Sequence, residues 1–462
     1  MSVRAWSLLL VLCGTIFLEG IDVAMLAVAV PTVRADLGLS TGTAAWVMSA
    51  YVLGYAGFTL LGGRAADLLG RRRMFLGWLA VFLVFSGLGG LADEGWTLIL
   101  ARFVTGVAAA FMTPAALSII TTSYEEGPQR NQALLVFAGT AAGGFSLGLV
   151  IGGLLTQLGW RWVFFAPVLL AAAILVAALR LIPKEPRPAR GKGGFDLAGA
   201  LTAAGAMLLL AYGVVRLEHG LDGWTVTAAA IAGGLLLAGL FVAVERRAAV
   251  PLVRLGILRR ASLIRADLGA LLFVGSFFGF QFVATLYLQE LRGWSSLETA
   301  LALLVMGCDA VLAPTLTPRL VARFGNARVI LGGFVLAVVS YALFLPVGPD
   351  WSYAAMFPTL LLTGIAFALA YGPLTIAGTD GIAEEDQGLA SGLLTTATQF
   401  GSAVGIAAVT AVYGIAGGGI GGFRAALVVP VAMVVLGAVI SATGVRAERR
   451  AGVPEAATEV TV

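Results

Sequence analysis

Long apolar segments recur along almost the whole chain, and the short stretches between them hold most of the charged residues. A helix needs roughly 20 mostly apolar residues to cross the hydrocarbon core of a membrane. Fourteen segments meet this requirement, at 6–31, 43–62, 73–92, 96–119, 131–155, 161–182, 196–215, 224–244, 264–288, 297–318, 327–347, 352–376, 388–414 and 423–445. The pattern therefore predicts an all-α integral membrane protein with fourteen transmembrane helices in a lipid bilayer.

The composition excludes a water-soluble protein of this length. Of the 462 residues, 59% are hydrophobic and 12% are charged, whereas a soluble domain carries about 25% charged residues. The outer surface must therefore face lipid. The two cysteines, Cys13 and Cys308, both lie inside apolar segments, which predicts neither a disulfide framework nor a metal site.

The basic residues predict the orientation of the chain. If the N-terminus is cytoplasmic, 23 of the 29 Lys and Arg residues fall in cytoplasmic loops or tails, 5 fall outside, and Arg102 lies within a span. Positive charge accumulates on the cytoplasmic side of membrane proteins. We therefore expect a multi-pass protein of the cell membrane with both termini in the cytoplasm. We expect no nucleic-acid binding from these charges.

A weak internal repeat predicts that the spans form two related halves. GRAADLLGRRR at 63–73 aligns with PRLVARFGNAR at 318–328 at a constant offset of 255, and both segments connect the second span of a half to its third. Two six-helix halves of this kind are typical of transporters. Residues 183–194, PKEPRPARGKGG, are rich in Pro, Gly and basic residues and predict a cytoplasmic linker.

These features divide the chain into four predicted regions. Residues 1–182 form an N-terminal six-helix half, and residues 183–260 form the linker followed by two extra transmembrane helices. Residues 261–446 form a C-terminal six-helix half, and residues 447–462 form a disordered cytoplasmic tail. The seventh and eighth spans are then an inserted pair between the two halves.

Four segments carry a resemblance to a known family. GRAADLLGRRR at 63–73, DVAMLAVAVP at 22–31, LILARFVTGVAAA at 98–110 and GFSLGLVIGG at 144–153 resemble motifs of the major facilitator superfamily, specifically its fourteen-helix drug:proton antiporter branch. The resemblance covers almost the whole chain. It implies a major facilitator fold and the export of drugs or antibiotics in exchange for protons.

The segment at 63–73 predicts a conformational latch. The resemblance gives this role to Gly63, Asp67, Gly70, Arg71, Arg72 and Arg73. A carboxylate at Asp67 suits the dipole at the start of the third helix, and the arginines can pair with it and with carboxylates of the opposite half. By analogy with the family, the latch stabilises the outward-facing state. The alternative is a tight basic turn that only follows the charge bias of cytoplasmic loops.

Two deep acids and one arginine predict a proton-coupling site. Glu19 and Asp22 are three residues apart and share a helix face, and Arg102 lies at a depth similar to that of Asp22. A charge at this depth costs at least ~2.5 kcal/mol, and two neighbouring acids resist simultaneous ionisation. We expect the acids to exchange protons, and Asp22 to pair with Arg102 in one state and separate in another. The alternative is a protonated acid in a structural hydrogen bond.

Two further features have competing interpretations. Asp309, in the middle of the tenth span, could contact a cationic substrate or bind a second proton, or it could make only a local polar contact. Gly144, Gly148, Gly152 and Gly153 in the fifth span predict close helix contact. That contact could serve gating, or it could serve packing alone.

Together these features predict drug:proton antiport by alternating access between two halves. The substrate is expected to be a hydrophobic small molecule that could carry a positive charge, exchanged for protons by a monomer without a cofactor. The alternative is proton-coupled or facilitative transport of a metabolite on the same fold. A passive channel or receptor is not expected, because a two-half repeat with loop latches would have no role in it.

An enzyme is not expected either. The sequence holds one His, which lies outside the spans, and its two Cys are not paired in a motif. No catalytic, cofactor-binding or metal-binding residues are therefore assigned.

Overall fold

The computed structural model describes residues 2–451 except 40, 184–195, 217–222, 249–250, 252 and 254. Within these residues the chain forms sixteen α-helices and four short 3₁₀ or π segments, with no β-strand. The helices are α1 (Val3–Asp36), α2 (Thr41–Leu69), α3 (Arg71–Gly90), α4 (Gly95–Ser123), α5 (Pro128–Leu158), α6 (Trp162–Leu181), α7 (Leu197–Arg216), α8 (Trp224–Glu245), α9 (Ala261–Leu286), α10 (Ser296–Leu303), α11 (Asp309–Thr315), α12 (Thr317–Phe324), α13 (Asn326–Phe344), α14 (Tyr353–Thr379), α15 (Gln387–Ile415) and α16 (Gly419–Ala451). The short segments are Leu255–Arg259, Tyr287–Leu291, Leu304–Cys308 and Glu384–Asp386.

The helices confirm the predicted all-α membrane fold. Each of the fourteen predicted spans coincides with helical structure. Twelve segments in the described part of the chain are long and apolar enough to cross a membrane. The other two predicted spans correspond to α2 and α7, which pack into the same bundle.

The described residues cover the predicted linker and tail only in part. Residues 184–195 of the linker region lie outside the described residues. The last helix, α16, continues to Ala451, so the first residues of the predicted tail are helical. Residues 452–462 lie outside the described residues.

Helix packing repeats between the two halves. In the first half, α1 lies against α5, α2 against α4 and α3 against α6. In the second half, α9 lies against α15, α11 against α14 and α13 against α16. Glycines permit the equivalent contacts, since Gly148 of α5 packs on Ile21 of α1, and Gly405 of α15 packs on Gly275 of α9. The shared pairing order is the structural counterpart of the sequence repeat.

The two aligned loops turn in the same way. Gly70 precedes α3 with a φ of 98°, and Gly325, its counterpart in the second half, precedes α13 with a φ of 84°. Glycine adopts such positive φ values easily, whereas they are strained for other residues. The matched glycines therefore mark a turn that both halves need between their second and third spans.

The tenth predicted span is interrupted in its middle. It consists of α10, the 3₁₀ segment Leu304–Cys308 and α11. Gly364 of α14 leaves room for the interruption, because a side-chain carbon there would collide with the Met306 carbonyl oxygen. Gly307 inside the segment also disfavours a regular helix. The interruption places Asp309 at the start of α11.

The inserted pair lies against both halves. Helix α7 packs on α2 of the first half and on α15 of the second, as well as on α8. Leu208 of α7 fits against Gly57 of α2, and Ala211 shares an apolar cluster with Phe400 of α15. Helix α8 turns its apolar side outward, where Leu236 is 75% exposed, as expected for a surface in contact with lipid.

Both described termini lie at one end of the bundle. A series of contacts links the helix ends there. Three are hydrogen bonds from a side chain to a backbone carbonyl oxygen: Tyr124 to Ala5, Arg130 to Thr379 and Arg260 to Gly381. In the fourth, Arg265 packs near Gly444. These contacts connect the start of α1 with the end of α16. We call this end the terminal face, and the other end the opposite face.

The contact between α2 and α4 gives a test of the fold. A side-chain carbon at Gly106 of α4 would collide with the Tyr51 backbone carbonyl, whereas one at Gly77 of α3 meets nothing within 4 Å. Overpacking a tight contact typically costs about 1–3 kcal/mol, and alanine is favoured over glycine in an open helical position by roughly 1 kcal/mol. We expect Gly106→Ala to lower the melting temperature of the purified protein and Gly77→Ala to keep or raise it. Equal melting temperatures for the two variants would contradict this packing.

Candidate transport site and inter-half latch

Glu19 of α1 lies inside the first half and is held by hydroxyl groups. It is 4% exposed. The Tyr55 hydroxyl of α2 donates a hydrogen bond of 2.8 Å to Glu19 Oε2, and the Thr113 hydroxyl of α4 donates to Oε1. No ion pair to Glu19 exists among the described residues. This buried carboxyl group is therefore satisfied by hydrogen bonds but not neutralised by a positive charge.

Asp22, one turn further along α1, pairs with Arg102 of α4. The Arg102 Nη1 atom lies 2.5 Å from Asp22 Oδ2, and both side chains are 2% exposed. The Arg102 guanidinium carbon lies 4.5 Å from the centroid of the Tyr51 ring, a distance suited to a cation–π contact. The pairing expected from the similar depth of the two residues is therefore observed. Their role in proton coupling stays a prediction.

These contacts join α1, α2 and α4 into one polar cluster. The sequence analysis did not identify three of its members, Tyr51, Tyr55 and Thr113. Tyr51 and Tyr55 are four residues apart on α2, and their rings make a T-shaped contact with centroids 5.8 Å apart. Hydroxyl-bearing side chains at helical spacing in an apolar span are the signal that could have found them.

The glycine stripe of α5 packs on the helix that carries both acids. A side-chain carbon at Gly144, Gly148 or Gly152 would lie 2.6–2.8 Å from backbone atoms of α1. Gly153 faces the second half instead, since a side-chain carbon added at this position would lie 3.9 Å from Leu297 of α10. The close helix contact is observed for the first three glycines, and a gating role stays a prediction.

Asp309 lies apart from the polar cluster, at the start of α11. It is 1% exposed, and neither carboxylate oxygen has a hydrogen-bond partner in the described part of the chain. Its backbone packs on α5, because a side-chain carbon at Gly139 would lie 3.3 Å from the Asp309 carbonyl oxygen. Contact with a substrate or a second proton stays a prediction for this residue.

Asp67 connects the two halves at the terminal face. Its two carboxylate oxygens accept hydrogen bonds of 3.0 Å from the backbone N–H groups of Gly388 and Leu389. These residues begin α15, where unpaired N–H groups and the helix dipole favour a negative charge. The sequence analysis expected the carboxylate to serve the start of α3. The structure shows that it caps α15, because the end of α2 lies against the second half.

Arg71 and Arg64 add charged contacts to the same seam. Arg71 lies 3.6 Å from Asp67 and 3.5 Å from the Glu384 carboxylate, and it donates a 2.5 Å hydrogen bond to the Glu384 carbonyl oxygen. Arg64 lies 3.6 Å from Asp386. The loop therefore contacts carboxylates of the opposite half in the way that the sequence indicated.

Gly63 allows the two halves to touch. A side-chain carbon there would collide with the Gly388 carbonyl oxygen and would lie 2.8 Å from Gly392 Cα. Helices α2 and α15 are thus in backbone contact beside Asp67. Any larger residue at this position would force the halves apart.

The remaining predicted latch residues act within the first half. Gly70 makes the turn into α3. Arg72 donates hydrogen bonds of 3.0 and 3.2 Å to the carbonyl oxygens of Ile182 and Leu179 at the end of α6, and Arg73 is exposed. In the described chain, neither arginine makes an ion pair with the second half.

Arg130 of α5 makes a second connection between the halves, which the sequence analysis missed. It is 2% exposed, and its Nη2 donates a 2.9 Å hydrogen bond to the Thr379 carbonyl oxygen at the end of α14. The same nitrogen lies 3.5 Å from Gln387 Oε1, and Nη1 pairs with Glu126 at 2.9 Å. A cation suits the C-terminal end of a helix. Arg130 and Asp67 therefore bind complementary ends of two consecutive helices, α14 and α15.

At the opposite face, the described ion pairs stay within the first half. Arg161, just before α6, lies 3.2 Å from Asp36 and 2.8 Å from Asp93. The Trp160 indole N–H donates a 2.7 Å hydrogen bond to Asp36, which lowers the pKa of the Asp36 carboxyl, and Arg161 lowers it further. The ion pairs that bridge the halves therefore lie at the terminal face.

Comparison with known proteins identifies the family. The family model described as Major Facilitator Superfamily matches residues 12–406. This chain belongs to the Major Facilitator Superfamily. The predicted superfamily is therefore confirmed, and superfamily members are transporters rather than enzymes. Among the described residues, no group of three or more His, Cys, Asp or Glu side chains could hold a metal ion.

Curated relatives of this facilitator are similar over most of their length. It is 36% identical to the cephamycin export protein CmcT of Amycolatopsis lactamdurans, over 89% of this chain and 85% of the relative. It is 34% identical to the puromycin resistance protein pur8 of Streptomyces alboniger, over 87% and 80%. It is 29% identical to the multidrug efflux pump LfrA of Mycolicibacterium smegmatis, over 89% and 81%.

A solved structure confirms the facilitator fold. The human organic anion transporter MFSD10 (TETRAN) superposes with a TM-score of 0.68 at 18% sequence identity, covering 95% of this chain and 98% of that one. At this identity the likeness concerns the fold alone.

The pair of Asp22 and Arg102 gives a test of the polar cluster. Removing one partner of a buried ion pair typically costs about 3–5 kcal/mol, because the other charge is left unpaired. We expect Asp22→Asn and Arg102→Gln each to lower the melting temperature strongly, and the double variant to lose less than the sum of the two losses. Glu125→Gln, an exposed acid outside the cluster, serves as a control with little expected effect. Strict additivity of the two changes would show that the residues do not interact.

The contact of Asp67 with α15 gives a test of the latch. Asp67→Asn removes the negative charge that the start of α15 favours, so the α2–α15 seam should open more often. The reporter is a cysteine introduced as Thr59→Cys in a protein from which Cys13 and Cys308 have been removed. Thr59 is fully buried and lies beside Gly392 of α15, so a maleimide can label this cysteine only when the seam opens. We expect labelling to be several-fold faster with Asp67→Asn and unchanged with Glu125→Gln, an exposed acid of the same face. An unchanged rate in both would exclude a latch at Asp67.

Proposed function

We propose that this facilitator exports amphipathic, drug-like molecules in exchange for protons, and that it belongs to the fourteen-helix drug:proton antiporter branch. Relatives named for antibiotic export, antibiotic resistance and multidrug efflux support drug export. The helix pair α7 and α8, placed between the halves in sequence, supports the branch assignment. In this proposal the protein works as a monomer and needs no cofactor.

The environment of Glu19 carries the proton-coupled part of the proposal. A charge in the membrane interior must find a partner, face water or be neutralised by a proton. Glu19 has two hydroxyl donors and no cationic partner in the described structure. A proton or a positively charged substrate can therefore cancel its charge, but the two cannot do so at once. Such competition at one carboxyl group is sufficient to couple the movements of drug and proton in opposite directions.

The pair of Asp22 and Arg102 would connect protonation to conformation. A proton on Asp22 removes the negative charge that Arg102 contacts. Because the two residues lie on α1 and α4, loss of the pair weakens the contact between those helices. The glycine stripe of α5 offers α1 a smooth backbone surface along which it can shift. Asp309, buried without a partner in the second half, would provide a second site for a proton or for the cationic part of a substrate.

The terminal face is cytoplasmic in this proposal. The positive-inside bias of the loops supports that orientation, with both termini in the cytoplasm of a cell-membrane protein. Asp67, Arg71, Arg64 and Arg130 then close the cytoplasmic side. A closed cytoplasmic side corresponds to an outward-facing carrier, which is the state that can release a drug and accept a proton from outside.

The experiment is drug accumulation in a bacterial host that lacks its own efflux pumps. Puromycin and lincomycin are suitable first compounds because relatives are named for resistance to them. We expect expression to lower accumulation, a protonophore to abolish the difference, and Glu19→Gln to reduce active efflux at least tenfold. Glu125→Gln, an exposed acid outside the site, should behave as the unaltered protein.

Purified protein in liposomes separates proton coupling from other energy sources. An imposed proton gradient, acid on the side of the opposite face, should drive the drug toward that side. Drug movement that does not depend on the gradient would contradict the antiport proposal. Gradient-driven movement of a metabolite without any drug movement would instead favour metabolite transport on the same fold.

A further inference from the structure

A cavity of about 870 Å³ opens at the terminal face of the first half, apart from the polar cluster around Glu19. Its walls are the start of α1, the end of α4, the start of α5 and the end of α6. Binding pockets for small molecules typically measure about 300–1,000 Å³. The cavity is therefore large enough for a small polar ligand or for the headgroup of a lipid.

The cavity lies where the lipid-facing surface of α1 and α6 ends. These two helices are neighbours, since a side-chain carbon added at Gly14 of α1 would lie 3.0 Å from a side chain of α6. Nearer the terminal face, Leu10 of α1 and Leu179 of α6 are 62% and 53% exposed, as expected for side chains in contact with acyl chains. Two residues further toward that face, Leu8 and Leu181 line the cavity. The cavity is therefore at the level of the lipid headgroups.

One wall of the cavity carries an arginine without an anionic partner. Arg4 is exposed, and it makes no ion pair among the described residues. On the same wall, the Ser2 hydroxyl accepts a 3.2 Å hydrogen bond from the Ala5 N–H group, and the remaining N–H groups at the start of a helix have no partner within it. The start of α5 adds the Gln129 side chain. A guanidinium group beside the start of a helix is suited to a phosphate group.

A second wall of the cavity favours a positive group. Glu126, in the loop between α4 and α5, lines the cavity, and its Oε1 atom accepts a 2.9 Å hydrogen bond from Arg130. Its other oxygen, Oε2, makes no hydrogen bond in the described part of the chain. The end of α4 adjoins this loop and contributes Thr122 and Ser123, and the C-terminal end of a helix favours a positive charge. An ammonium group can therefore contact Glu126 without replacing Arg130.

We propose that this cavity binds the headgroup of phosphatidylethanolamine, an ammonium–phosphate zwitterion. The phosphate group contacts Arg4 and the start of α1, and the ammonium group contacts Glu126 and the end of α4. The glycerol lies over Leu8 and Leu181, so the acyl chains continue along the outer side of α1 and α6. A lipid is the source of this zwitterion because the cavity lies at the edge of the lipid-facing surface. The proposal does not depend on the export function.

The two charged walls give the cavity a preference among phospholipids. Phosphatidylglycerol has the phosphate group but no positive group to contact Glu126. Phosphatidylcholine has a positive group, but its three methyl groups leave no N–H to donate a hydrogen bond to the carboxylate or to a helix carbonyl. Of these three lipids, only phosphatidylethanolamine can make charge-assisted hydrogen bonds at both walls, and such bonds are roughly twice as strong as neutral ones.

Native mass spectrometry of the purified full-length protein measures this preference. The three phospholipids, with matched acyl chains, are added in equal amounts to the protein in detergent, and the bound fraction of each is recorded. We expect about fivefold more protein with bound phosphatidylethanolamine than with either other lipid, as for one charge-assisted hydrogen bond in a partly exposed site. Equal binding of the three lipids would overturn the proposal. Glycerophosphoethanolamine, the same headgroup without acyl chains, should not displace the lipid at equal concentration, and displacement would overturn the lipid as the ligand.

Two variants assign the preference to its walls. Arg4→Gln removes the contact with the phosphate group and should lower phosphatidylethanolamine binding about fivefold. Glu126→Gln removes the contact with the ammonium group and should make phosphatidylethanolamine and phosphatidylcholine bind equally. The matched controls are Arg323→Gln, an exposed arginine in the aligned loop of the second half, and Glu94→Gln, an exposed acid near the opposite face. Both controls should keep the preference. A preference that survives Arg4→Gln and Glu126→Gln would show that the lipid binds elsewhere.

A third variant tests the space of the cavity and leaves both charges in place. Glu126→Gln also removes the partner of Arg130, so a change in loop packing would alter binding there too. Ser123 is exposed and lines the cavity, so Ser123→Trp fills the space that the headgroup needs without entering the protein core. We expect phosphatidylethanolamine binding to fall to the level of phosphatidylcholine, with the melting temperature of the protein unchanged. Binding as in the unaltered protein would overturn the cavity as the site.

Discussion

A charged side chain inside a membrane is costly unless it is paired with an opposite charge, hydrogen-bonded or neutralised by a proton. The polar residues inside this protein are arranged in ways that reduce this cost. Asp22 forms an ion pair with Arg102, and the Arg102 guanidinium also makes a cation–π contact with the Tyr51 ring. Glu19 has hydroxyl donors alone, and Asp309 has no described partner. Three helices of the first half, α1, α2 and α4, meet at Glu19, Asp22 and Arg102, so the contacts of these three residues help to set how the helices pack. The same cost that makes such residues rare in membranes makes them effective as sites for exchangeable protons.

The terminal face uses a different kind of electrostatics. There the second half offers the two ends of consecutive helices, and the first half supplies a charge of the matching sign to each. Asp67 binds the N–H groups that begin α15, and Arg130 binds a carbonyl that ends α14. Backbone dipoles are fixed by the fold, so these contacts depend only on whether the halves are close enough. These contacts therefore join the two halves through backbone groups alone.

Sequence reasoning predicted the all-α membrane class and the superfamily because apolar length and short motifs are local properties of the chain. It also placed Asp22 near Arg102, since depth in a membrane can be counted along a helix. It missed Tyr55 and Thr113 around Glu19, and Arg130 at the terminal face, because these contacts depend on how separate helices rotate against each other. The interruption before Asp309 was equally hidden. It follows from Gly364 on a neighbouring helix, which is distant in sequence.

The position of α7 has a mechanical consequence. This helix touches α2 and α15, which belong to different halves and meet at the Asp67 seam. If the halves tilt relative to each other, α7 can keep its packing on only one of α2 and α15. It must then slide along the surface of the other helix. Its buried face is rich in alanine, at Ala200, Ala203 and Ala211, and short side chains let helices slide without interlocking. Helix α7 would therefore stay in contact with both halves while they tilt.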